Sequence, residues 1–438
     1  MTPRPPLVII GLDGATFDIL DPLIARGQLP TLARIAQTGW RTELLSTLPP
    51  ATLPAWTSFL TAASPGHHGL VDMFLPLVPS YDLRPVSGAM RRLPTLMGTL
   101  AARGLAIASL GVPGTYPPES LPHGLCISGF DAPGVARANR ASVTPSAWWP
   151  ELKRLGGWRY ATFNELSRKH HREDQIAQAL LGDLDAKERV ALSVLNMQHW
   201  DLFFVHLQAS DTAAHHLWHT FDPHSPRARV ALPSQRDLLP SVYRRLDDLI
   251  GKLLAAAGPN ARVLIISDHG MGGASRVAIH VNRLLCELGL LHFQPPSRRA
   301  LTDLASRALG TIIARAHPTL VGAALRHLPA AASRRVLRHA RGEALDYGRS
   351  QAFSYELDYA PSIWLNRAST FSHGMLTDAQ ADALVPQIRA ALFELRDPET
   401  GTPLIQDVVT RDHYAAGAAS STAPDLLIEP ALLNGYRP

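Results

Sequence analysis

The chain has 438 residues, of which 46% are hydrophobic, 18% charged and 7% aromatic. This composition excludes a disordered chain, a collagen and a coiled coil, and the length predicts a large hydrophobic core with an inserted or appended unit. The 42 basic and 37 acidic residues give a formal net charge of +5, which is too dilute over this length to indicate nucleic-acid binding.

The first apolar run of the chain, residues 7–10, is too short to be the core of a signal peptide. No stretch reaches the ~18 uninterrupted apolar residues of a membrane span. Cys126 and Cys286 lack the spacing of a zinc finger or a disulfide framework, which argues against thiol chemistry. We therefore expect a cytoplasmic protein without a membrane span.

Three apolar, β-branched runs are typical of buried strands in a parallel sheet: residues 7–10, 201–207 and 262–267. Long helical patterns, such as 17–38 and 238–257, lie between them. Strands that alternate with helices predict an α/β fold in which a doubly wound, mostly parallel sheet is flanked by helices. Ligands of such sheets bind at the carboxyl ends of the strands.

The rest of the chain suggests a division into parts. Residues 1–294 are interpreted as the α/β core, including a helical, mixed-charge segment at 151–195. Residues 295–346 are rich in Ala, Leu and Arg at helical spacing, which predicts a helical insertion. Strand-like runs return in 347–438, which we interpret as a return to the core.

Each of the three predicted strands is followed within a few residues by an aspartate: Asp13, Asp211 and Asp268. Three carboxylates at one edge of a sheet repel one another, and a cation between them is the simplest compensation. Two of them have a histidine at ligand spacing, because His215 is one helical turn after Asp211 and His269 directly follows Asp268. Mixed Asp and His ligands without a thiolate favour zinc or manganese.

A threonine precedes an apolar helix in the segment PPATLPAWTSFL, which begins at Pro49. A hydroxyl at the start of a helix faces the positive end of the helix dipole, where a phosphoryl oxygen is also stabilised. Thr52 is therefore a candidate nucleophile. The more common role of such a residue is an N-cap, which either Thr52 or Thr57 would fill.

Four segments together resemble the alkaline phosphatase superfamily: VIIGLDGATFD, PPATLPAWTSFLT followed by SPGHHG, DTAAHHLWHTFDPH from Asp211, and ISDHGMG. Within it they are most similar to the bacterial phosphohydrolases of the type I phosphodiesterase/nucleotide pyrophosphatase branch. RDPETG at 396–401 and APDLLIEP at 423–430 occur in the same order in that group, so the resemblance covers nearly the whole chain.

The resemblance implies metal-dependent hydrolysis of a small-molecule phosphoric ester, at a phosphodiester or pyrophosphate-type bond. It implies two divalent cations, zinc in the first place and manganese as the alternative, and a threonine nucleophile that also lies at the metals, which matches Thr52. The five other implied metal ligands are Asp13, Asp268 and His269 for one ion and Asp211 and His215 for the other.

Two positions depart from the family pattern. The family's second metal takes a further histidine from a loop beyond the APDL segment, whereas this sequence ends at Pro438. Either the chain is truncated or another histidine substitutes, for which His373 and His280 are the candidates. Ala55 stands where the nucleotide pyrophosphatases of this branch have an asparagine that binds the phosphate. This difference argues against a nucleotide substrate.

Two alternative functions follow from these departures and from the shared core. The missing histidine is compatible with a catalytically impaired or non-catalytic binding module that keeps the alkaline phosphatase-like sheet. A metal-dependent phosphomutase has the same core, although such enzymes usually have serine at the position of Thr52.

Overall fold

The structure is a computed structural model that describes residues 5–132, 137–160, 173–228, 231–294, 345–356, 361–418 and 420–438. The predicted helical insertion at 295–346 lies outside the described residues except for its last two positions. Residues 161–172 of the segment 151–195 also lie outside them. The proposed division into parts therefore stays a prediction.

The strands, in chain order, are β1 Leu7–Leu12, β2 Phe74–Pro76, β3 Leu83–Pro85, β4 Ile107–Val112, β5 Leu125–Ser128, β6 Val143–Thr144, β7 Leu202–Leu207, β8 Arg262–Ile266, β9 Ala352–Phe353, β10 Ser362–Leu365, β11 Ile405–Thr410 and β12 Leu426–Pro430. The α-helices are α1 Phe17–Ala25, α2 Pro30–Thr38, α3 Thr52–Thr61, α4 Pro65–His68, α5 Leu96–Ala101, α6 Trp149–Arg154, α7 Glu173–Leu195, α8 Ala209–Phe221, α9 Leu238–Ala257, α10 Val281–Glu287, α11 Asp378–Phe393 and α12 Arg411–Tyr414.

Six strands form the central sheet in the order β6-β5-β4-β7-β1-β8. All neighbours are parallel except β5 and β6. Leu7 pairs with both Leu202 and Arg262, so the three strands that precede the aspartates are adjacent and in register. The predicted α/β fold with a mostly parallel sheet is confirmed.

Helices cover both faces of this sheet. Val8 and Ile10 of β1 are buried in a cluster that includes side chains of α7, α8 and α9. Ile9, which points to the opposite face, packs in a second cluster with Trp56 of α3 and Met97 of α5. The alternation of β1 side chains between two buried faces explains its continuous apolar sequence.

Strand β8 differs from the expected fully buried strand. In the described part of the chain it pairs only with β1, so it forms an edge of the sheet. Val263 and Leu264 are each 39% exposed. The apolar run alone could not distinguish an edge strand from a central one.

The helical pattern at 17–38 forms two helices instead of one. Gly27 has a φ of +67° in the turn after α1, a conformation that glycine adopts without steric cost. Pro30 then begins α2, because its fixed φ suits the first helical position. The pattern at 238–257 forms one helix, α9, with the predicted ends.

Strands β9 to β12 form a separate antiparallel sheet in the order β11-β12-β10-β9. Its apolar side chains, including Phe353, Ile363 and Leu426, have a core of their own with α11. The strand-like runs of the last hundred residues therefore belong to a second sheet. None of the described helices is long and apolar enough to cross a membrane.

Candidate metal centre and nucleophile

Asp13 directly follows β1 and is fully buried. Its carboxylate oxygen Oδ2 lies 2.8 Å from Nε2 of His206, a residue of β7. The Ser210 hydroxyl, at the start of α8, donates to the backbone carbonyl of Asp13 at 2.6 Å. Contacts from the neighbouring strand and helix thus hold both the backbone and the carboxylate of Asp13.

Asp268 and His269 follow β8, at the same carboxyl edge of the sheet as Asp13. The Gly14 backbone N–H donates to Oδ1 of Asp268 at 3.1 Å, and the Ser46 hydroxyl donates to the backbone carbonyl of Asp268 at 2.6 Å. Nδ1 of His269 lies 2.7 Å from the carbonyl of Gly270, so this nitrogen carries the hydrogen and Nε2 faces the carboxylates.

The two carboxylates and the imidazole converge on one point. Nε2 of His269 lies 3.4 Å from Oδ1 of Asp13 and 3.4 Å from Oδ2 of Asp268. Each residue offers one ligand atom within 4.8 Å of the others. Both carboxylate oxygens are buried without a hydrogen-bond partner. Orphaned anionic oxygens beside an imidazole nitrogen fit a divalent cation of the zinc or manganese type.

The pKa values show the same charge imbalance. Burial, and then the charge of Asp13, raise the pKa of Asp268 well above its usual range. Burial lowers the pKa of His269, but the charge of Asp268 and the nearby carboxylate of Asp13 outweigh this effect and raise the pKa to about 10. Burial also raises the pKa of Asp13, yet its contacts with His206 and His269 hold it well below its usual range. The buried negative charge of the cluster thus favours protons or a cation at this point.

Asp211 and His215 lie on the first turns of α8, where Nε2 of His215 is 3.3 Å from Oδ1 of Asp211. They are next to the first cluster, because a Cβ added to Gly14 would be 3.1 Å from Oδ1 of Asp211 and 3.2 Å from Cε1 of His269. The His215 side chain is 43% exposed, in contrast to the buried carboxylates. The pair is thus the more open half of the site.

Thr52 is the first residue of α3, and Ala51 is the N-cap, with no capping hydrogen bond from its side chain. The alternative in which Thr52 or Thr57 caps this helix therefore does not hold, and Thr57 lies buried in the middle of the helix. The Thr52 hydroxyl is directed at the cluster instead, 3.3 Å from Nε2 of His269.

The two candidates for a further ligand lie elsewhere in the described structure. His280 occupies the N-cap position of α10. The His373 ring stacks on Tyr81 beside the second sheet, with ring centroids 6.3 Å apart. Neither belongs to the group of three ligands found in the described part of the chain.

His206, which contacts Asp13, is the residue at this cluster that sequence analysis did not single out. It lies in the apolar strand β7 and is only 3% exposed. A buried imidazole requires a polar partner. The sequence signal for such a contact was therefore a histidine within an otherwise apolar strand. Which partner it would find depended on the pairing of β7 with β1, which the sequence pattern did not specify.

A mostly parallel sheet with carboxylates and imidazoles at its carboxyl edge is the arrangement that the resemblance to the alkaline phosphatase superfamily implied. The model of the type I phosphodiesterase/nucleotide pyrophosphatase family matches residues 7–432, so the chain belongs to this family. It is a phosphoric ester hydrolase, as the resemblance implied. A search of curated proteins found no match.

Solved structures with the same fold include phosphonoacetate hydrolase from Sinorhizobium meliloti 1021. Its complex with phosphonoacetate has a TM-score of 0.57 and 16% identity, covering 98% of this chain and 81% of that chain. Inactive murine ectonucleotide pyrophosphatase/phosphodiesterase 5 in complex with AMP has a TM-score of 0.50 and 11% identity, covering 99% and 80%. At these identities the likeness shows the fold alone.

Proposed function

We propose that this chain hydrolyses a small-molecule phosphodiester or pyrophosphate-type bond with Thr52 as nucleophile and two divalent cations, zinc in the first place. The observation that carries the proposal is the position of the Thr52 hydroxyl. It is not used as a helix cap, and it lies 3.3 Å from the imidazole nitrogen that two orphaned carboxylate oxygens also approach.

Five side chains besides Thr52 would hold the cations. Those of the first ion are Asp13, Asp268 and His269, and those of the second are Asp211 and His215. When bound, divalent ions supply charge neutralisation for phosphoryl oxygens and acidify a nearby hydroxyl or water. The buried environment strengthens this effect because little water screens the charges.

The chain itself positions the nucleophile. Thr52 begins α3, so its hydroxyl is at the positive end of the helix dipole, where the first backbone N–H groups have no partner within the helix. An incoming phosphoryl oxygen is stabilised there. The Thr52 oxygen would form a bond to phosphorus as the bond to the leaving group breaks, and water would then cleave the phosphothreonine.

The first turn of α3 also bears on the substrate. Ala55, one turn after Thr52, is 7% exposed and its methyl group cannot donate a hydrogen bond to a phosphoryl oxygen. A missing donor for transition-state charge typically lowers the rate about a hundredfold or more. We therefore propose that the natural substrate is a phosphoric ester other than a nucleotide.

The test is hydrolysis of bis-p-nitrophenyl phosphate and p-nitrophenyl phosphate by the zinc- or manganese-loaded protein. Thr52→Ala is expected to abolish nitrophenol release. Thr61→Ala is the matched control, because Thr61 lies on the same helix and donates only to the backbone carbonyl of Thr57. Full activity in Thr52→Ala, or none in the wild type with either metal, would contradict the proposal, and the second result would favour a non-catalytic binding module.

A further inference from the structure

His206 is held on β7 beside the carboxylate of Asp13. In the register between β1 and β7 it lies opposite Gly11, two residues before Asp13. Its Nε2 is 2.8 Å from Oδ2 of Asp13. A carboxylate can only accept, so Nε2 carries the hydrogen and donates it.

The imidazole has little freedom to move away from this contact. Trp56 packs against it edge to face, with ring centroids 5.1 Å apart and an interplanar angle of 86°. Trp56 is in turn fitted against the backbone, because a Cβ at Gly11 would be 2.6 Å from Cη2 of its ring. His206 is 3% exposed and Trp56 is 1% exposed. The position of the His206 imidazole is therefore fixed by packing, and the ring is shielded from solvent.

The two carboxylate oxygens of Asp13 therefore have different environments. Oδ2 is occupied by the imidazole, whereas Oδ1 is buried without a hydrogen-bond partner and faces His269 at 3.4 Å. The Ser210 hydroxyl holds the backbone carbonyl of Asp13, which limits rotation of the whole residue. Asp13 thus presents a single oxygen to the cluster.

The number of available oxygens matters for the choice of cation. Zinc is small and takes four ligands at about 2.0–2.2 Å, whereas calcium takes six to eight oxygens and often binds both oxygens of one carboxylate. We propose that His206 is a positioning residue that reserves Oδ1 of Asp13 for the metal and thereby makes the centre selective for a small cation over calcium. This inference rests on the metal centre of the proposed function.

The experiment compares zinc and calcium affinities of the metal-stripped full chain by competition with chelators of known affinity. His206→Leu removes the donor and is expected to weaken zinc binding about 10- to 100-fold, as loss of a group that orients a ligand typically does. Calcium affinity should stay unchanged or rise, because both oxygens of Asp13 become available. His206→Gln, which keeps an N–H donor at a similar reach, should restore zinc affinity to within a few-fold of the wild type.

Phe204→Leu is the matched packing control. Phe204 is on the same face of β7 and also contacts Trp56, with ring centroids 5.9 Å apart, but it has no polar group. It should leave the ratio of zinc to calcium affinity unchanged. An unchanged ratio in His206→Leu, or an equal loss in Phe204→Leu, would overturn the inference while leaving the proposed function intact. A wild-type chain that binds no zinc would overturn both.

Discussion

The hydroxyl oxygen of Thr52 lies 3.3 Å from Nε2 of His269, the nitrogen that also lies 3.4 Å from one oxygen each of Asp13 and Asp268. One atom therefore marks the point where the proposed nucleophile and two carboxylates meet. The adjacent candidate ligands, Asp211 and His215, are one residue fewer than the first group and are more exposed. This asymmetry leads to the first prediction.

We expect zinc to bind in two steps whose affinities differ at least about tenfold. The first ion would have three ligands, of which Asp13 and Asp268 are held by buried hydrogen bonds, whereas Asp211 and His215 would offer only two to the second ion. Asp268→Asn should remove the tight step, and Asp211→Asn should remove the weak one. Calorimetric titration measures both steps, and two equal affinities in the wild type would refute the asymmetry.

Gly14→Ala should impair the site more than the fold. Gly14 has a φ of +60°, and an added methyl group would crowd both Asp211 and His269. Gly27→Ala is the matched control, because Gly27 has a φ of +67° with open space around it. Both variants should lose about 1–2 kcal/mol of unfolding free energy through the left-handed backbone. Only Gly14→Ala should also lose zinc affinity, and an equal loss in both would show that backbone strain alone is responsible.

Asp72→Asn should stabilise the protein at neutral and alkaline pH. Burial raises the pKa of Asp72 to about 7, against partly compensating backbone hydrogen bonds from Met73 and Phe74. Because the folded pKa is above the unfolded value, the stability of the neutral form is fully present below about pH 4 and is lost as pH rises through about 7. The variant avoids this loss.

The expected difference in unfolding free energy is on the order of 2 to 4 kcal/mol above pH 7, and close to zero below about pH 4. Urea unfolding of wild type and variant between these limits measures it. Asp412→Asn, at an exposed position, is the control and should show no such trend. A difference between Asp72→Asn and wild type that does not change with pH would contradict the assignment.

Arg367→Met should destabilise the second sheet without affecting metal binding. Arg367 is 6% exposed, and its Nε donates to Oδ1 of Asp425 at 2.9 Å. Removing one partner of a buried ion pair costs about 3 to 5 kcal/mol, and the nearby Arg411, 3.3 Å from the same oxygen, should keep the loss near the lower value. Arg389→Met removes an exposed contact with Asp407 and should cost less than about 1 kcal/mol. Thermal unfolding compares the two, and equal losses would contradict the role of burial.

Arg367 and Asp425 also show what the APDLLIEP segment does in this fold. The Asp425 carboxylate accepts the Leu365 backbone N–H at 2.8 Å and pairs with two arginines. It therefore joins β12 to β10 within the second sheet. Its place in a motif shared with hydrolases reflects architecture, whereas the proposed chemistry belongs to residues of the central sheet.

Sequence reasoning succeeded where a local pattern has one structural solution. The three apolar runs form adjacent parallel strands, so Asp13 and Asp268 reach the same edge. It failed where the outcome depends on distant partners. β8 reads as a buried strand but is an edge of the described sheet, and the contact of His206 with Asp13 follows only from the pairing of β7 with β1.

The error at Gly27 has a different cause, as does the N-cap alternative at Thr52 that the structure does not bear out. A helix pattern continues across Gly27 because apolar spacing is similar on both sides, and only the left-handed turn and Pro30 separate α1 from α2. Thr52 is a good N-cap by residue type, yet Ala51 takes that position. The choice between neighbouring residues depends on how the preceding loop enters the helix, which residue type does not encode.

The long separations within the sheet have a consequence for biosynthesis. Asp13 and His206 are 193 positions apart in the chain, and Gly14 and Asp268 are 254 apart. Strand β1 is thus synthesised long before either of its neighbouring strands. Until those strands are made, its aliphatic side chains lack their native packing partners. A nascent chain released before β8 cannot assemble the cluster, so premature products are expected to be inert and to depend on chaperones for solubility.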